Sequence, residues 1–375
     1  VTRALHEQRG DARIDASAHR DQDLHLDLRK AIPAVPPIIY SRRRHGSGCE
    51  DRIPACLAWL GAGRRGWKIC PRRGQACRKI ASARIVLHDG SRMTTIRVAL
   101  GERSYPIQVT DSYQALPRWL ASLKLGPTVC VVSHPSILAR DGRALLGPLT
   151  KAGLAVHTIT VPESERSKSL AMVERVLTQL TRRARMRVPV LVAFGGGVIG
   201  DLTGFVAAIF RRGVPYVQVP TTLLAQVDSA IGGKVGVDLS SAKNAVGAFY
   251  QPRLVVNHLG VLRSLPLRQR RSGLSEIIKY AAIADVPLLA FLEAHLRACV
   301  RGDARVDRVM VERCARIKAR IVSRDERDTR GVRTQLNFGH TLGHALEAAT
   351  DYRRFTHGEA IAIGMACAAQ LSVAC

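Results

Sequence analysis

The stretch that decides the fold reads Val188-Pro-Val-Leu-Val-Ala-Phe194, followed by Gly195-Gly-Gly-Val-Ile-Gly-Asp201. Its apolar run predicts a buried strand, and the residues after the glycines predict an apolar helix that ends near Phe210. Glycines between a strand and a helix let backbone N–H groups approach a pyrophosphate, whose charge the helix dipole favours. The pattern therefore indicates a nucleotide site, although a tight turn alone would use the same glycines.

Strands and amphipathic helices alternate on both sides of this stretch. Such alternation is typical of right-handed βαβ units, in which helices cover both faces of a parallel sheet. From Pro266 onward the patterns are helical only, so we place a domain boundary near Val261–Pro266 and expect the active site in the cleft between the domains. The predicted strands are Thr95–Leu100, Tyr105–Val109, Val129–Ser133, Ala155–Val161, Val188–Phe194 and Val214–Pro220, and the predicted helices are Leu145–Ala152, Ser169–Arg182, Ser275–Ala284, Pro287–Val300, Val306–Arg324, Thr341–Ala349 and Ala360–Val373.

Histidines concentrate in the helical part, within Asn337–Glu359. His340 and His344 lie four residues apart, so on a helix they share one face with Glu347. His357 opens the next helical run. Two imidazoles from different helices and a carboxylate from elsewhere would form a three-ligand metal site that leaves positions open for substrate. The alternative is that the histidines only cap or fill a packed helix pair.

Polar residues suited to an anionic ligand follow the strand that ends at Pro220. They include Gly232-Gly233-Lys234 and Lys243-Asn244. Two lysines and an asparagine near glycines suit a phosphate or a polyhydroxylated ligand. Solvated lysines are the usual alternative.

Composition bounds the function. The chain has 375 residues, 46% of them apolar, and it contains nine cysteines without the spacing of a zinc knuckle or a disulfide framework. It shows no signal-peptide pattern and no apolar run long enough for a membrane span, so we expect a cytoplasmic protein. The formal charge is +27, but the basic residues are spread along the chain and aromatic residues make up only 5%. A basic cleft for an anionic small molecule is therefore favoured over nucleic-acid binding.

Residues 1–92 differ from the rest because they show no sustained hydrophobic period and cluster Arg with Gly. We expect this basic extension to be disordered, or to reflect a mis-assigned start before Met93. The expected domains are then 93–262, an NAD-binding α/β domain, and 263–375, a helical metal- and substrate-binding domain that is truncated at its C-terminal end.

The longer motifs follow one another in a fixed order. They are Gly195–Asp201, Arg212-Gly213-Val214, Gln218–Leu224, Val227-Asp228-Ser229, Gly232-Gly233-Lys234, Lys243-Asn244, Gly247–Pro252, Gly273–Tyr280, Leu336–Glu347 and His357–Ala360. In order and spacing they resemble the 3-dehydroquinate synthase family within the sugar phosphate cyclases. The resemblance covers about residues 93–375, and it implies a Rossmann-like domain followed by an all-α domain, as in dehydroquinate synthases.

The resemblance also implies an activity. It is that of a phosphate-eliminating carbon–oxygen lyase, which converts 3-deoxy-D-arabino-heptulosonate 7-phosphate to 3-dehydroquinate and phosphate. This step belongs to the shikimate route to chorismate and the aromatic amino acids. The implied cofactors are NAD and a divalent metal, zinc or cobalt, and the family is often dimeric, so a homodimer is a further expectation.

Site residues follow from the resemblance by motif position. The implied metal ligands are Glu276, His340 and His357. The implied substrate and catalytic residues are Arg212, Asp228, Lys234, Lys243, Asn244, Lys279, Lys318, Arg333, Asn337 and His344, the last as a proton relay. The implied NAD-binding residues are Glu163, Ser164, Glu165, Arg166, Ser167, Lys168, Gly197, Val198, Ile199, Gly200, Asp201, Thr221, Thr222, Lys234, Lys243, Val261, Leu262, Arg263 and Ser264.

Two of the departures from the family pattern concern residues that would reach the substrate. The family has one residue fewer between Asp325-Glu326 and Gly331, so its acidic residue near Arg333 is either Asp328 or missing. A late lysine that usually reaches the substrate has no counterpart. The alternatives are another NAD-dependent sugar-phosphate cyclase, a truncated inactive remnant, or a polyol dehydrogenase, which would lack the paired lysine motifs.

Overall fold

The computed structural model describes residues 93–183, 188–239 and 242–374. The expectations about residues 1–92 lie outside these ranges. The strands of the described part are β1 (Thr94–Val98), β2 (Tyr105–Thr110), β3 (Thr128–Ser133), β4 (Ala155–Thr160), β5 (Val190–Gly195), β6 (Tyr216–Pro220), β7 (Lys234–Val237), β8 (Val246–Phe249) and β9 (Leu254–His258).

Seven strands form one sheet in the order β1-β2-β9-β6-β5-β3-β4. Strand β1 pairs antiparallel with β2, and the other neighbours are parallel. Strands β7 and β8 form a separate antiparallel hairpin. This sheet agrees with the α/β prediction, but β9 and the hairpin were not predicted.

Helices flank the sheet, and after β9 the described part of the chain contains helices but no further strands. They are α1 (Leu116–Ser122), α2 (Pro135–Lys151), α3 (Leu170–Arg183), α4 (Gly197–Ile209), α5 (Leu267–Ala284), α6 (Val286–Ala294), α7 (Leu296–Arg301), α8 (Ala304–Arg324), α9 (His340–Ala349) and α10 (His357–Ala374). In the described ranges, no helix combines the length and apolar character that crossing a bilayer requires.

Three helix predictions were wrong in extent. The helix predicted at Ser275–Ala284 begins at Leu267, because the polar run Arg268–Ser272 lacks an apolar period but is still helical. The helix predicted at Leu145–Ala152 begins at Pro135, because Asp141-Gly142-Arg143 interrupts the apolar pattern without interrupting the helix. The helix predicted at Pro287–Val300 is two helices. They separate at His295, where the backbone leaves helical geometry. The His295 ring nitrogen Nδ1 lies within hydrogen-bond distance, 3.0 Å, of the Phe291 carbonyl oxygen.

The sheet is buried because alternate residues of its central strands enter different cores. Cys130 and Val132 of β3 join a cluster with α3 and α4, while Val129 and Val131 join one with α1 and α2. A third cluster combines β1, β2 and β9 with helices α5 to α8. The α/β and helical parts therefore share a core on this side of the molecule.

Candidate active site

The glycine stretch adopts the predicted strand–glycine–helix geometry. Gly196 precedes α4, whose first turn has no side-chain cap, so its N–H groups are open to an anion. A Cβ at Gly195 would lie 2.6 Å from the Cβ of Ile199, and one at Gly196 would lie 3.0 Å from Thr222 Cγ2. Only glycine fits these two positions without displacing the residues that border the helix start.

Lys168 connects this helix to two other predicted site segments. Its buried ammonium group lies 2.7 Å from Asp201 Oδ2 and also donates to the side-chain oxygen of Asn244. The Lys168 carbonyl accepts from the N–H of Asp238 at 2.8 Å. The segments that were predicted to hold NAD and substrate are thus joined through one lysine.

A cluster of two histidines and a glutamate lies where three helices meet. Glu276, in α5, is fully buried, and its Oε1 lies 3.6 Å from Nε2 of His340 and 3.5 Å from Nε2 of His357. The histidines open α9 and α10. Glu276 Oε1 has no hydrogen-bond partner among the described residues. A buried carboxylate oxygen facing two imidazole nitrogens is the donor set of a divalent metal such as zinc or cobalt, so these residues fit a metal.

Glycines let the three helices approach closely enough to form this cluster. A Cβ at Gly358 would lie 2.2 Å from the carbonyl oxygen of Ser272 in α5. A Cβ at Gly364 would lie 2.0 Å from the carbonyl oxygen of Gly339, which precedes α9. Gly358 and Gly364 therefore allow α10 to lie close to α5 and to the start of α9, the helices that carry the other metal-ligand candidates.

Glu347 contacts the cluster from behind His357. Its Oε2 lies 3.3 Å from His357 Nδ1, the ring nitrogen opposite the one that faces Glu276. Its Oε1 lies 3.8 Å from Nζ of Lys243. His344, Glu347 and His357 form a second group with metal-ligand donors, but His344 is exposed. The predicted helix face held His340, His344 and Glu347. Of these, His344 and Glu347 lie in the second group with His357, whereas His340 lies in the first group with Glu276.

The pKa values of the two histidines of the cluster are shifted in opposite directions. Burial, together with the charge of Lys279, lowers the pKa of His340 to about 4. Burial also lowers the pKa of His357, but the neighbouring carboxylates of Glu276 and Glu347 outweigh it and raise that pKa to about 9. Burial therefore favours the neutral form of His340, whereas the two carboxylates favour the charged form of His357.

A cavity of about 570 Å³ lies beside the hairpin β7–β8. At its edge, Asp228 accepts from Lys318 Nζ at 2.7 Å and from the Tyr280 hydroxyl. Burial alone would raise the pKa of Asp228, but Lys318 and Lys279 hold it well below its usual range. The predicted site residues that line the cavity are Asp201, Asp228, Lys234, Asn244, Lys318 and Arg333.

Other predicted residues lie elsewhere. Lys279 is buried against Glu276 and reaches the cluster rather than the cavity lining. Arg212 and Asn337 are exposed and are not among the described residues that line the cavity. Val261–Ser264 falls in the short helix Leu259–Ser264, where the Leu262 carbonyl accepts from buried Arg270 at 3.1 Å. Tyr280, which follows Lys279 in α5 and donates to Asp228, was not among the predicted site residues.

The fold and site together define a class: an α/β protein with a candidate nucleotide site, joined to a helical part with a candidate metal centre. The sequence models of the 3-dehydroquinate synthase family match this chain in two parts. The N-terminal family model matches residues 158–272, and the C-terminal one matches residues 273–375. The 3-dehydroquinate synthase of Pelotomaculum thermopropionicum is 46% identical over 283 residues, or 75% of this chain and 76% of that one. The chain belongs to the 3-dehydroquinate synthase family.

Two solved structures share the fold. A 2-deoxy-scyllo-inosose synthase complexed with carbaglucose-6-phosphate, NAD⁺ and Co²⁺ has a TM-score of 0.67 and 28% identity, over 72% of this chain and 75% of that one. A 2-epi-5-epi-valiolone synthase from Streptomyces hygroscopicus subsp. jinggangensis, with NAD⁺ and Zn²⁺ bound, has a TM-score of 0.64 and 28% identity, over 71% and 74%. The predicted fold class and family are confirmed.

Proposed function

We propose that the protein acts as a 3-dehydroquinate synthase, which converts 3-deoxy-D-arabino-heptulosonate 7-phosphate to 3-dehydroquinate and phosphate. The observation that carries the proposal is the convergence of Glu276, His340 and His357, with a carboxylate oxygen that has no hydrogen-bond partner among the described residues. The family to which the chain belongs supports the same reaction.

The two cofactors would occupy different parts of the site. Glu276, His340 and His357 would hold a divalent metal, zinc or cobalt. The N-terminus of α4, with Lys168 and Thr221-Thr222, would hold NAD at its phosphates and ribose. When bound, NAD supplies a hydride acceptor, and the metal lowers the pKa of substrate hydroxyls and polarises the ketone.

The chain's own residues would bind and orient the substrate. Lys234 and Arg333 are basic residues of the cavity and would oppose the charges of the phosphate and carboxylate groups. The Asp228–Lys318 pair would accept hydrogen bonds from, and donate them to, substrate hydroxyls. His344 is exposed beside the histidines of the cluster, with its ring centroid 5.3 Å from that of His340, which suits a proton relay.

Glu347 would act on His357 rather than on the substrate. An Nδ1–H donated to Glu347 would hold the His357 ring with Nε2 free to bind the metal, as carboxylates behind histidine ligands do elsewhere. A cytoplasmic location and a homodimer complete the proposal.

The test is phosphate release by the full chain, supplied with NAD and Zn²⁺ or Co²⁺, from the heptulosonate phosphate. Glu276→Ala should abolish release and stoichiometric metal binding, because a buried ligand is lost, while NAD binding persists. Metal analysis and NAD titration of both proteins check this. Retained metal and activity in the variant would refute the ligand assignment. Release from another sugar phosphate alone would identify a different cyclase, and release from none would identify an inactive remnant.

A further inference from the structure

Tyr280 reaches from the helix of the metal-ligand candidate Glu276 to a residue of the cavity. Glu276 precedes it by four residues in α5, so the two side chains share one face of the helix, and both are fully buried. Glu276 faces the two histidines of the cluster. The Tyr280 hydroxyl instead donates to Oδ1 of Asp228, which lines the cavity. One helix face therefore reaches both parts of the candidate site.

The backbone of Asp228 is held in place. The residue lies in Ala225–Ser229, a stretch of π-helix, and this rare geometry is frequent at functional sites. Its carbonyl oxygen accepts from Lys318 Nζ at 2.7 Å and from the backbone N–H of Ile231 at 3.0 Å. Rotation of the side chain is therefore the main freedom that remains to the Asp228 carboxylate.

Both side-chain donors of this carboxylate reach the same oxygen atom. Lys318 Nζ lies 2.7 Å from Oδ1, and the Tyr280 hydroxyl also donates to Oδ1. Two hydrogen bonds fill the acceptor sites of one carboxylate oxygen. In the described ranges no donor reaches Oδ2, and the Asp228 side chain is 25% exposed. Oδ2 is therefore the oxygen that a ligand in the cavity can reach.

The tyrosine defines the plane of the carboxylate. The χ2 torsion of aspartate is broad, so a single donor at Oδ1 would leave the carboxylate free to turn. The Lys318 ammonium group is shared with the Asp228 carbonyl, whereas the Tyr280 hydroxyl is carried by a rigid ring that is packed in the core. With a second donor at Oδ1, the direction of Oδ2 is fixed as well.

We propose that Tyr280 is a positioning residue, which fixes the Asp228 carboxylate so that Oδ2 accepts a hydroxyl group of a polyhydroxylated ligand. Lys318 and Lys279 hold the pKa of Asp228 well below its usual range, so Oδ2 is an acceptor only. The contact recognises hydroxyl groups and offers nothing to a phosphate group, whose negative charge it repels. The identity of the ligand rests on the proposed function, but the orientation of the carboxylate by Tyr280 does not.

The test compares two probes in calorimetric titrations of the full-length protein. The protein is loaded with Zn²⁺ and with NADH, which cannot accept a hydride, so that no turnover occurs. The probes are 3-deoxy-D-arabino-heptulosonate 7-phosphate and inorganic phosphate. Tyr280→Phe removes the hydroxyl and keeps the ring, so it should raise the Kd of the sugar phosphate about three- to tenfold, the range for one hydrogen bond. The Kd of inorganic phosphate should not change.

Tyr216→Phe is the matched control. Tyr216 is also buried, and its hydroxyl donates to the Tyr250 carbonyl at 2.9 Å rather than to a residue of the cavity. The control should leave both Kd values unchanged. Asp228→Asn, which replaces the second acceptor oxygen by an NH₂ group, should itself weaken binding of the sugar phosphate. In that background Tyr280→Phe should have no further effect, because the oxygen that it orients is gone.

An unchanged Kd of the sugar phosphate in Tyr280→Phe or in Asp228→Asn would overturn the proposal, as would an equal rise for inorganic phosphate. A parent protein that binds the sugar phosphate no more tightly than inorganic phosphate would also overturn it, because no hydroxyl group is then recognised. With NAD in place of NADH, Tyr280→Phe should raise KM without lowering kcat, as the loss of uniform binding does. If the parent releases no phosphate from any sugar phosphate but Tyr280→Phe still weakens binding of the sugar phosphate, the proposed function fails and the positioning role stands.

Discussion

At the scale of single residues, the cluster depends on a carboxylate that does not itself face the metal position. Glu347 Oε2 lies 3.3 Å from His357 Nδ1, so we expect it to fix the ring that would ligate metal. Glu347→Gln should weaken zinc binding by about tenfold or more, because the loss of such partners typically costs that much affinity. Competition titration against a chelator measures it, and NAD affinity should not change.

The first turn of α10 offers a matched control for Glu347. Glu359 lies two residues after His357, but its carboxylate pairs with Arg268 at 2.8 Å and 3.0 Å. Glu359→Gln removes a comparable charge near the cluster without touching the ring. If both variants weaken zinc binding equally, then Glu347 acts through general charge and not through the orientation of His357.

At the scale of elements, the loop before the short helix Val332–Asn337 is organised by one aspartate. Burial alone would raise the pKa of Asp325. Hydrogen bonds from backbone N–H groups have the larger, opposite effect, so the pKa lies below its ordinary value; the donors are Thr329, Arg330, Arg333 and Val332. A carboxyl with a lowered folded-state pKa stabilises the protein above its unfolded pKa, and that stabilisation is lost as the pH falls through the folded pKa.

Asp325→Asn should therefore lower Tm by several degrees at neutral pH. The difference from the parent should shrink as the pH falls below about 4, where the unfolded carboxyl protonates. Thermal scans of both proteins across the acid range check this. Asp303 caps α8 by accepting from the N–H groups of Arg305 and Val306. The Tm of Asp303→Asn therefore serves as the comparison, because it reports the loss of the carboxylate of a helix cap. A Tm difference that is independent of pH would contradict the role of the carboxylate charge.

At the scale of the whole molecule, the sequence predicted the parallel sheet because its central strands are continuous apolar runs flanked by helices. It did not predict β9, although Leu254–His258 pairs between β2 and β6. The polar Asn257 breaks the apolar run there. The nitrogen of its buried side-chain amide donates to the carbonyl of Gln226 at 3.0 Å, a contact between residues 31 positions apart in the chain.

The candidate site was predictable to a similar degree. Spacing alone placed His340, His344 and Glu347 on one face, but it left open whether the histidines bind metal. The partner carboxylate, Glu276, was assigned only through the family motif, because it lies on another helix and no local period links it to the histidines. The Tyr280–Asp228 hydrogen bond was likewise invisible, since it joins residues 52 positions apart.

The shared core carries a prediction about how the molecule unfolds. The chain is long enough for two domains with separate cores, yet Met310 of α8 and Val98 of β1 belong to one buried cluster. Met310→Ala should cost about 2–5 kcal/mol, as cavities in cores do. Because the cluster crosses between the parts, hydrogen exchange should show β1 and β2 losing protection together with α8. Leu145→Ala opens a comparable cavity in a cluster without residues of the helical part, and it should reduce the protection of β3 and β5 more than that of α8. If Met310→Ala leaves β1 and β2 fully protected while α8 exchanges, the two parts unfold independently.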